Sequence, residues 1–346
     1  PGVTLWVREG LQRRATLNIP FAAASGLHVT TDGRVFANGR RSNQIVNYDI
    51  DSHEMISVIP GHAGAISYCN YFSDSRRLIT TSWDAQVSIW NVNDGHLLRS
   101  HRVDQTPLTT AVLSADETCL ITGSSAGACR IWNLGDDDLD APNTFVAVEM
   151  GAPVSHVAID PTSKLCLAVA SDSSIEFFSR ETGEPVAIDV PATGVQWAEF
   201  SSDSATILVI PKLKEADKLS HEVLLIPIDG TTLTRHRYQG PVRSSHYHPD
   251  SKRIVTLFGD RSSGFKVVVQ DAKTGKVERE FQHSIAARAS IDPMGEYIYV
   301  LELNAATIWR IADGRRWMTL QNTALDPSPS TKIMSPFTLV MNPHVI

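Results

Sequence analysis

The chain has 346 residues, of which 42% are hydrophobic and 20% charged, a composition that excludes wholesale disorder, collagen-like sequence and a disulfide-dense miniprotein. Its net charge of −7, from 31 basic and 38 acidic residues, argues against a sequence-independent nucleic-acid binder, which carries a basic stripe. No apolar run approaches the roughly 18–20 residues that span a bilayer, so no transmembrane segment is expected.

In chain order, short runs with alternating apolar and polar residues recur between turn residues. Each unit holds one run ending in an aromatic or apolar residue before a polar turn. The markers are Trp6, Tyr48, Trp90, Trp132, Phe178, Leu225, Gln270 and Trp309, spaced by 42, 42, 42, 46, 47, 45 and 39 residues. Alternation has the period of a strand, and a repeat of roughly 40–45 residues holding four short strands is that of a propeller blade. The second unit reads as strands over Ala65–Phe72, Arg77–Ser82, Gln86–Val92 and His96–Arg102, with turns such as Asp74-Ser75 and Asp94-Gly95. The fold class expected is all-β, a β-propeller spanning 1–346 as one domain. Its units run over 21–60, 61–103, 104–150, 151–191, 192–239, 240–282 and 283–323. Residues 324–346 and 1–20 supply the two halves of a closing eighth blade, because 43 residues separate Trp309 from Trp6 through the termini. Pairing the ends removes free sheet edges. Seven blades and an ordered tail is the alternative.

The second unit resembles a WD40 repeat: Gly61-His62, then Ser82-Trp83-Asp84, then Ile89-Trp90-Asn91. The resemblance implies a buried structural tetrad of His62, Ser82, Asp84 and Trp90, in which the imidazole donates to the carboxylate and the hydroxyl bridges imidazole to indole. The third unit keeps Ser124 and Trp132 but has Ala126 for the Asp. The fourth keeps Asp172 with Phe178 for the Trp, and the later units are more degraded. The last unit, around Ile291–Val300, also resembles repeats of lactonase or cytochrome cd1 type propellers.

Other patterns favour architecture over chemistry. His62, Ser82 and Asp84 could be read as a nucleophilic triad, but the tetrad buries the hydroxyl. Gly123-Ser124-Ser125-Ala126-Gly127 matches G-x-S-x-G, but a strand follows where that motif needs a helix. His246 and His248, near Asp250, alternate on one strand face without the third and fourth ligands of a metal site. Asp136–Asp140 lacks the Gly and Glu of a calcium loop and reads as a solvated acidic loop. Lys212–Lys218 lengthens a loop of the fifth unit. The four cysteines, Cys69, Cys119, Cys129 and Cys166, form no C-x-x-C and read as buried free thiols. No cofactor, metal or catalytic residue is expected.

The function the resemblance implies is a non-catalytic scaffold that binds peptides or protein surfaces through its loops. On the face holding the turns between second and third strands, Trp83, Arg40, Arg41 and Arg261 are the candidate partner-binding residues. Arg and Trp are the side chains that make interface hot spots. The expected setting is a larger complex or longer polypeptide, cytoplasmic or otherwise intracellular; a first residue other than Met fits a fragment. The alternative is an enzyme or cofactor-binding propeller of lactonase or haem-d1 type, with His156, His246 and His248 as its material. A permanent structural subunit of a large assembly is a third reading.

Overall fold

The computed structural model describes residues 2–6, 13–18, 24–29, 34–39, 43–49, 52, 54–74, 76–134, 144–192, 194–212, 220–286, 288–302 and 305–321, with side chains outside 2–39, 49, 144–147 and 320–321. Successive strands pair antiparallel with their sequence neighbours, giving one meander per repeat. Gly2–Trp6 and Arg13–Asn18 form a two-stranded sheet, and residues 331–345, expected beside it, lie outside the described residues. The first four-stranded sheet holds Ala24–Val29, Arg34–Gly39, Ile45–Asp49 and Met55–Ile59. The second holds Ile66–Tyr71, Arg77–Ser82, Gln86–Asn91 and Leu97–Arg102. The third holds Leu108–Leu113, Cys119–Ser124, Ala128–Asn133 and Thr144–Glu149.

The fourth sheet departs from the expected plan. It has three strands, Val154–Ile159, Leu165–Ala170 and Ile175–Ser179, and only an isolated bridge between Phe178 and Pro185 where a fourth strand was expected. Pro185 has no N–H to give a ladder. The fifth sheet runs from Val195–Phe200 through Thr206–Pro211 and Glu222–Pro227 to Thr234–Arg237. The sixth is Val242–Tyr247, Arg253–Asp260, Gly264–Asp271 and Val277–His283, and the seventh Arg288–Ile291, Tyr297–Leu301, Ala305–Arg310 and Arg316–Gln321.

The apolar core lies between successive sheets, as one layer for each pair. Ile121 and Ile131 of the third sheet pack on Val154, Cys166 and Phe178 of the fourth. Leu167 and Phe177 of the fourth meet Val195, Ile207 and Leu224 of the fifth. A sheet covered on both faces needs strands that are apolar throughout, and Cys119–Ser124 is buried at every position. The four cysteines are free and buried; burial pushes the Cys69 and Cys129 thiols up to about 12, so they stay protonated.

The turns between first and second strands are stitched to their neighbours. Thr162 N donates to Ser204 Oγ at 3.2 Å, and Asp203 N to Ser251 Oγ at 3.0 Å. Ser204 and Ser251 hold φ of 56° and 57°, a left-handed conformation where Gly is usual. Here the hydroxyl is needed to receive the neighbouring turn.

Candidate functional site

The second sheet carries the most developed polar constellation. Its entry turn fixes the histidine. His62 N donates to Asn43 O and Asn43 Nδ2 to His62 O, both at 2.9 Å. A Cβ at Gly61 would lie 1.5 Å from Asn43 O, so only glycine allows this approach, and its φ of 75° suits it. The His62 ring then points inward. Its Nδ1 sits 3.1 Å from Asp84 Oδ2, and its Nε2 sits 2.7 Å from Thr80 Oγ1. Trp90 Nε1 donates to Thr80 Oγ1 at 2.8 Å. One consistent proton assignment satisfies every group: the indole donates to Thr80, Thr80 donates to His62 Nε2, and His62 Nδ1–H donates to Asp84. Burial lowers the pKa of His62 despite the attraction of Asp84, which favours the neutral ring this chain of bonds requires.

The bridging hydroxyl is therefore Thr80 and not Ser82. Trp90 stands opposite Leu78, and the next pair on that face is Thr80 with Ser88, so the indole N–H ends at Thr80. Ser82 is buried one pleat further, where its Oγ accepts from Asp84 N at 3.2 Å. The third sheet repeats the geometry: Trp132 Nε1 donates to Thr122 Oγ1 at 3.0 Å, and Ser124 Oγ instead caps Ala128 N. A hydroxyl ten residues before the tryptophan is the sequence signal in both cases.

In the fourth sheet Phe178 and Ala168 occupy the indole and hydroxyl positions, so both partners are gone together. Asp172 is exposed and accepts from Ser174, outside any such network. In the fifth sheet the position equivalent to Trp90 is Ile226, opposite Ile207, one residue beyond the expected Leu225. The seventh sheet, read as degraded, rebuilds a network from other residues. Trp309 Nε1 donates to His283 Nε2 at 3.0 Å, and His283 Nδ1 donates to Glu302 Oε1 at 2.9 Å. With Val300 paired to Thr307 there, no hydroxyl intervenes and the indole meets the imidazole directly.

Asp84 also fixes the turn that follows. It accepts from Ala63 N at 2.9 Å and Gln86 N at 3.0 Å. Trp83 N donates to Ala65 O at 2.9 Å, and Ala85, at φ 67°, closes the turn on Ser82 O. The Trp83 side chain is 50% exposed on this pinned backbone. Arg261 is exposed on the equivalent turn of the sixth sheet, four repeats away in sequence order. Arg40 and Arg41 lie outside the described residues.

A second constellation, on three consecutive first strands, involves two residues the sequence reading did not single out, Trp197 and Glu199. His156 stacks on Trp197 with centroids 4.2 Å apart and bonds Ala198 O at 3.1 Å through Nε2. Glu199 Oε2 receives Trp197 Nε1 at 3.1 Å and His246 Nδ1 at 2.9 Å, and Glu199 Oε1 receives Tyr247 N at 2.7 Å. Their signal is positional: His156 and Trp197 each follow the first buried valine, Val154 or Val195, by two residues. His248, expected beside His246, instead bonds Gly295 O at 2.9 Å, between the sixth and seventh sheets. These contacts bind sheet to sheet. Among the described residues, no three or more His, Cys, Asp or Glu side chains gather as a metal ion would require. Asp136–Asp140 and 213–218 lie outside the described residues. Also among them, no helix is long and apolar enough to cross a membrane.

The geometry agrees with the comparisons. The model of the WD domain, G-beta repeat, matches residues 53–91, which contain the His62–Thr80–Trp90 network. Residues 53–91 are thus similar to a WD40 repeat, and the relatives matched over longer spans are similar at low identity, a divergent WD40 likeness. It is 24% identical over 270 residues to eukaryotic translation initiation factor 3 subunit I of Eremothecium gossypii, covering 72% of this chain and 74% of that one. It is 25% identical over 128 residues to WD repeat-containing protein 55 of Mus musculus, covering 36% of this chain and 31% of that one. Against pre-mRNA-processing factor 19 homolog 2 of Arabidopsis thaliana it is 23% identical, covering 52% of this chain and 37% of the relative. The match thus spans about a third of the length of the latter two relatives. Among solved structures, a dihydro-heme d1 dehydrogenase superposes with a TM-score of 0.74 at 12% identity, covering 92% of this chain and 71% of that one. A chain of a mitotic checkpoint complex gives 0.61 at 13% identity, covering 81% and 87%. At such identities the likeness is one of fold, an all-β propeller.

Proposed function

We propose that this chain is a non-catalytic interaction scaffold, a domain or subunit of an intracellular multiprotein assembly that holds a protein or peptide through the turns of one face. The observation that carries the reading is Trp83, half exposed on a turn pinned by Asp84 and by Ala65 O. A large side chain on an ordered backbone binds with little loss of conformational freedom. Relatives named as a translation initiation factor subunit and a pre-mRNA-processing factor support a setting inside the cell and inside a complex. Arg261, and in the same role Arg40 and Arg41, are the proposed flanking contacts, and the whole of residues 1–346 is proposed as one propeller domain. The fold likeness to a dihydro-heme d1 dehydrogenase does not by itself favour an enzyme, because His156 and His246 are engaged in bonds between sheets.

The test is affinity capture from native extract with the wild-type chain and with Trp83→Ala, read by mass spectrometry. The expected result is a specific set of proteins retained by wild type and reduced by at least about tenfold with the variant. The unfolding free energy in urea should stay within about 0.5 kcal/mol of wild type, since the side chain is a surface one. Equal retention by both proteins removes Trp83 as the anchor.

A further inference from the structure

The sixth sheet carries a hairpin longer than its counterparts. Its second and third strands have eight residues each, where those of the other sheets have five or six. The extra pairs, Gly259 with Phe265 and Asp260 with Gly264, lie at the turn end, on the face that also bears Trp83. Asp260 Oδ1 orders the turn by accepting from the N and Oγ of both Ser262 and Ser263, at 2.6 to 2.9 Å. Arg261 is exposed at its tip. Two further arginines stand at the same end, on first strands. Arg243 follows Val242, which lies opposite Phe258, and Arg288 lies opposite Leu301 at the close of its sheet's second strand. Ser244 Oγ donates to Ala289 O at 3.2 Å and accepts from Ala289 N at 3.1 Å, so each of these arginines is one residue from that junction. Arg243 is also tied to the hairpin: its Nε donates to Gly259 O at 3.2 Å, and its guanidinium carbon lies 5.8 Å from the Phe265 ring centre.

All three arginines are exposed, and among the described residues none has a carboxylate partner. Arginines elsewhere do, as Arg253 has Asp250 and Arg235 has Glu222. The carboxylates at this corner are already engaged: Asp260 by its serines, and Glu302 Oε1 by His283 Nδ1 at 2.9 Å and Thr307 Oγ1 at 3.3 Å. Lys266, nearby on the hairpin, is paired with Glu280. We infer that this corner of the face binds an acidic peptide segment of the partner, its carboxylates meeting Arg243, Arg261 and Arg288. The inference deepens the scaffold reading, and rests on it, by naming the chemistry of what the face holds. A guanidinium takes a carboxylate through two parallel N–H donors, and Arg243, held by Gly259 O and Phe265, is ordered before the partner arrives. A nucleic acid or an anionic membrane would spread its charge over the rest of a chain whose net charge is −7, whereas a short segment meets only this corner.

The probe is a fluorescein-labelled peptide of about ten residues alternating Asp and Ser, read by fluorescence anisotropy with the full chain. Saturable binding is expected, weakening as salt is raised. Combining Arg261→Glu with Arg288→Glu should weaken it by about tenfold or more. Arg76→Glu with Arg315→Glu makes the same change of net charge on turns of the opposite face, and should alter binding by less than about twofold. An Asn/Ser peptide should not bind. All four arginines are exposed, so both variants are expected to fold, and thermal melting verifies it. No binding of the Asp/Ser peptide, equal binding of the Asn/Ser peptide, or equal loss in the two double variants would each overturn the proposal. So would tighter binding of a single-stranded oligonucleotide or of phosphatidylserine vesicles that is lost with Arg261→Glu and Arg288→Glu. The two readings fail separately. If capture depends on Trp83 and the Asp/Ser peptide does not bind, the acidic partner is overturned and the scaffold stands. If the peptide binds as expected and capture is indifferent to Trp83→Ala, this inference is sustained and only the Trp83 anchor is lost.

Discussion

Thr80 is the residue on which the second sheet's polar network turns. Its Oγ1 receives the Trp90 indole and reaches the His62 ring, both buried. Thr80→Val keeps the shape and strands two polar groups, which should cost about 1–3 kcal/mol in urea unfolding. Ser82→Ala should cost clearly less, because Ser82 Oγ serves one backbone donor. If the two variants lose equal stability, the bridging role belongs to neither. The histidine, aspartate and tryptophan were legible in the sequence because turns and strand ends mark them. The hydroxyl was not, since Thr80, Thr81 and Ser82 are adjacent hydroxyl residues and only the cross-strand register of Trp90 with Leu78 chooses among them.

At the scale of an element, the fourth sheet shows what replaces this chemistry. Phe178 stands opposite Cys166, and Ala168 occupies the hydroxyl position. Neither offers a polar atom, so the face closes by packing alone; both are fully buried. Ala168→Thr should destabilise by about 1–3 kcal/mol by burying an unpartnered hydroxyl. Phe178→Trp should also destabilise, by overpacking and by an unmet indole N–H. Together they can bond as Thr122 and Trp132 do, so the double variant should lose less than the sum by at least about 0.5 kcal/mol in a double-mutant cycle. Strict additivity would show that the register does not bring the two positions together. The strands themselves were readable from alternation and turn residues. The absent fourth strand was not, because 185–190 carries strand-like apolar residues and only the lack of a ladder beyond the single bridge at Pro185 distinguishes them. Trp309 of the seventh sheet was marked as a repeat position, but its partners His283 and Glu302 escaped notice for a related reason: the histidine belongs to the preceding sheet's last strand and a carboxylate of another length completes the set.

At the scale of the molecule, the sheets are joined by apolar layers and by histidines set between them, and this gives the fold a pH dependence with a definite sign. His62, His156 and His236 each have a lowered pKa, in each case first through burial. The unfolded chain, with ordinary imidazoles near about 6.5, then binds more protons than the folded one as pH falls through that value. Their contribution is fully present above it and is lost on acidification below it. A second loss follows below about pH 4. Asp116, for example, is held far below the usual carboxylate range: burial opposes this, but bonds from Ser114, Arg180 and Thr118 outweigh it. The urea midpoint should therefore be level between about pH 8 and 7.5, fall from about 6.5 to 5, and fall again below about 4. His156→Phe keeps a ring against Trp197 and removes one titrating group, so its midpoint should decline less steeply between pH 6.5 and 5. A wild-type midpoint that rises on acidification through that interval would mean the histidines gain their proton on folding, and the neutral ring assigned to His62 between Thr80 and Asp84 would have to be abandoned.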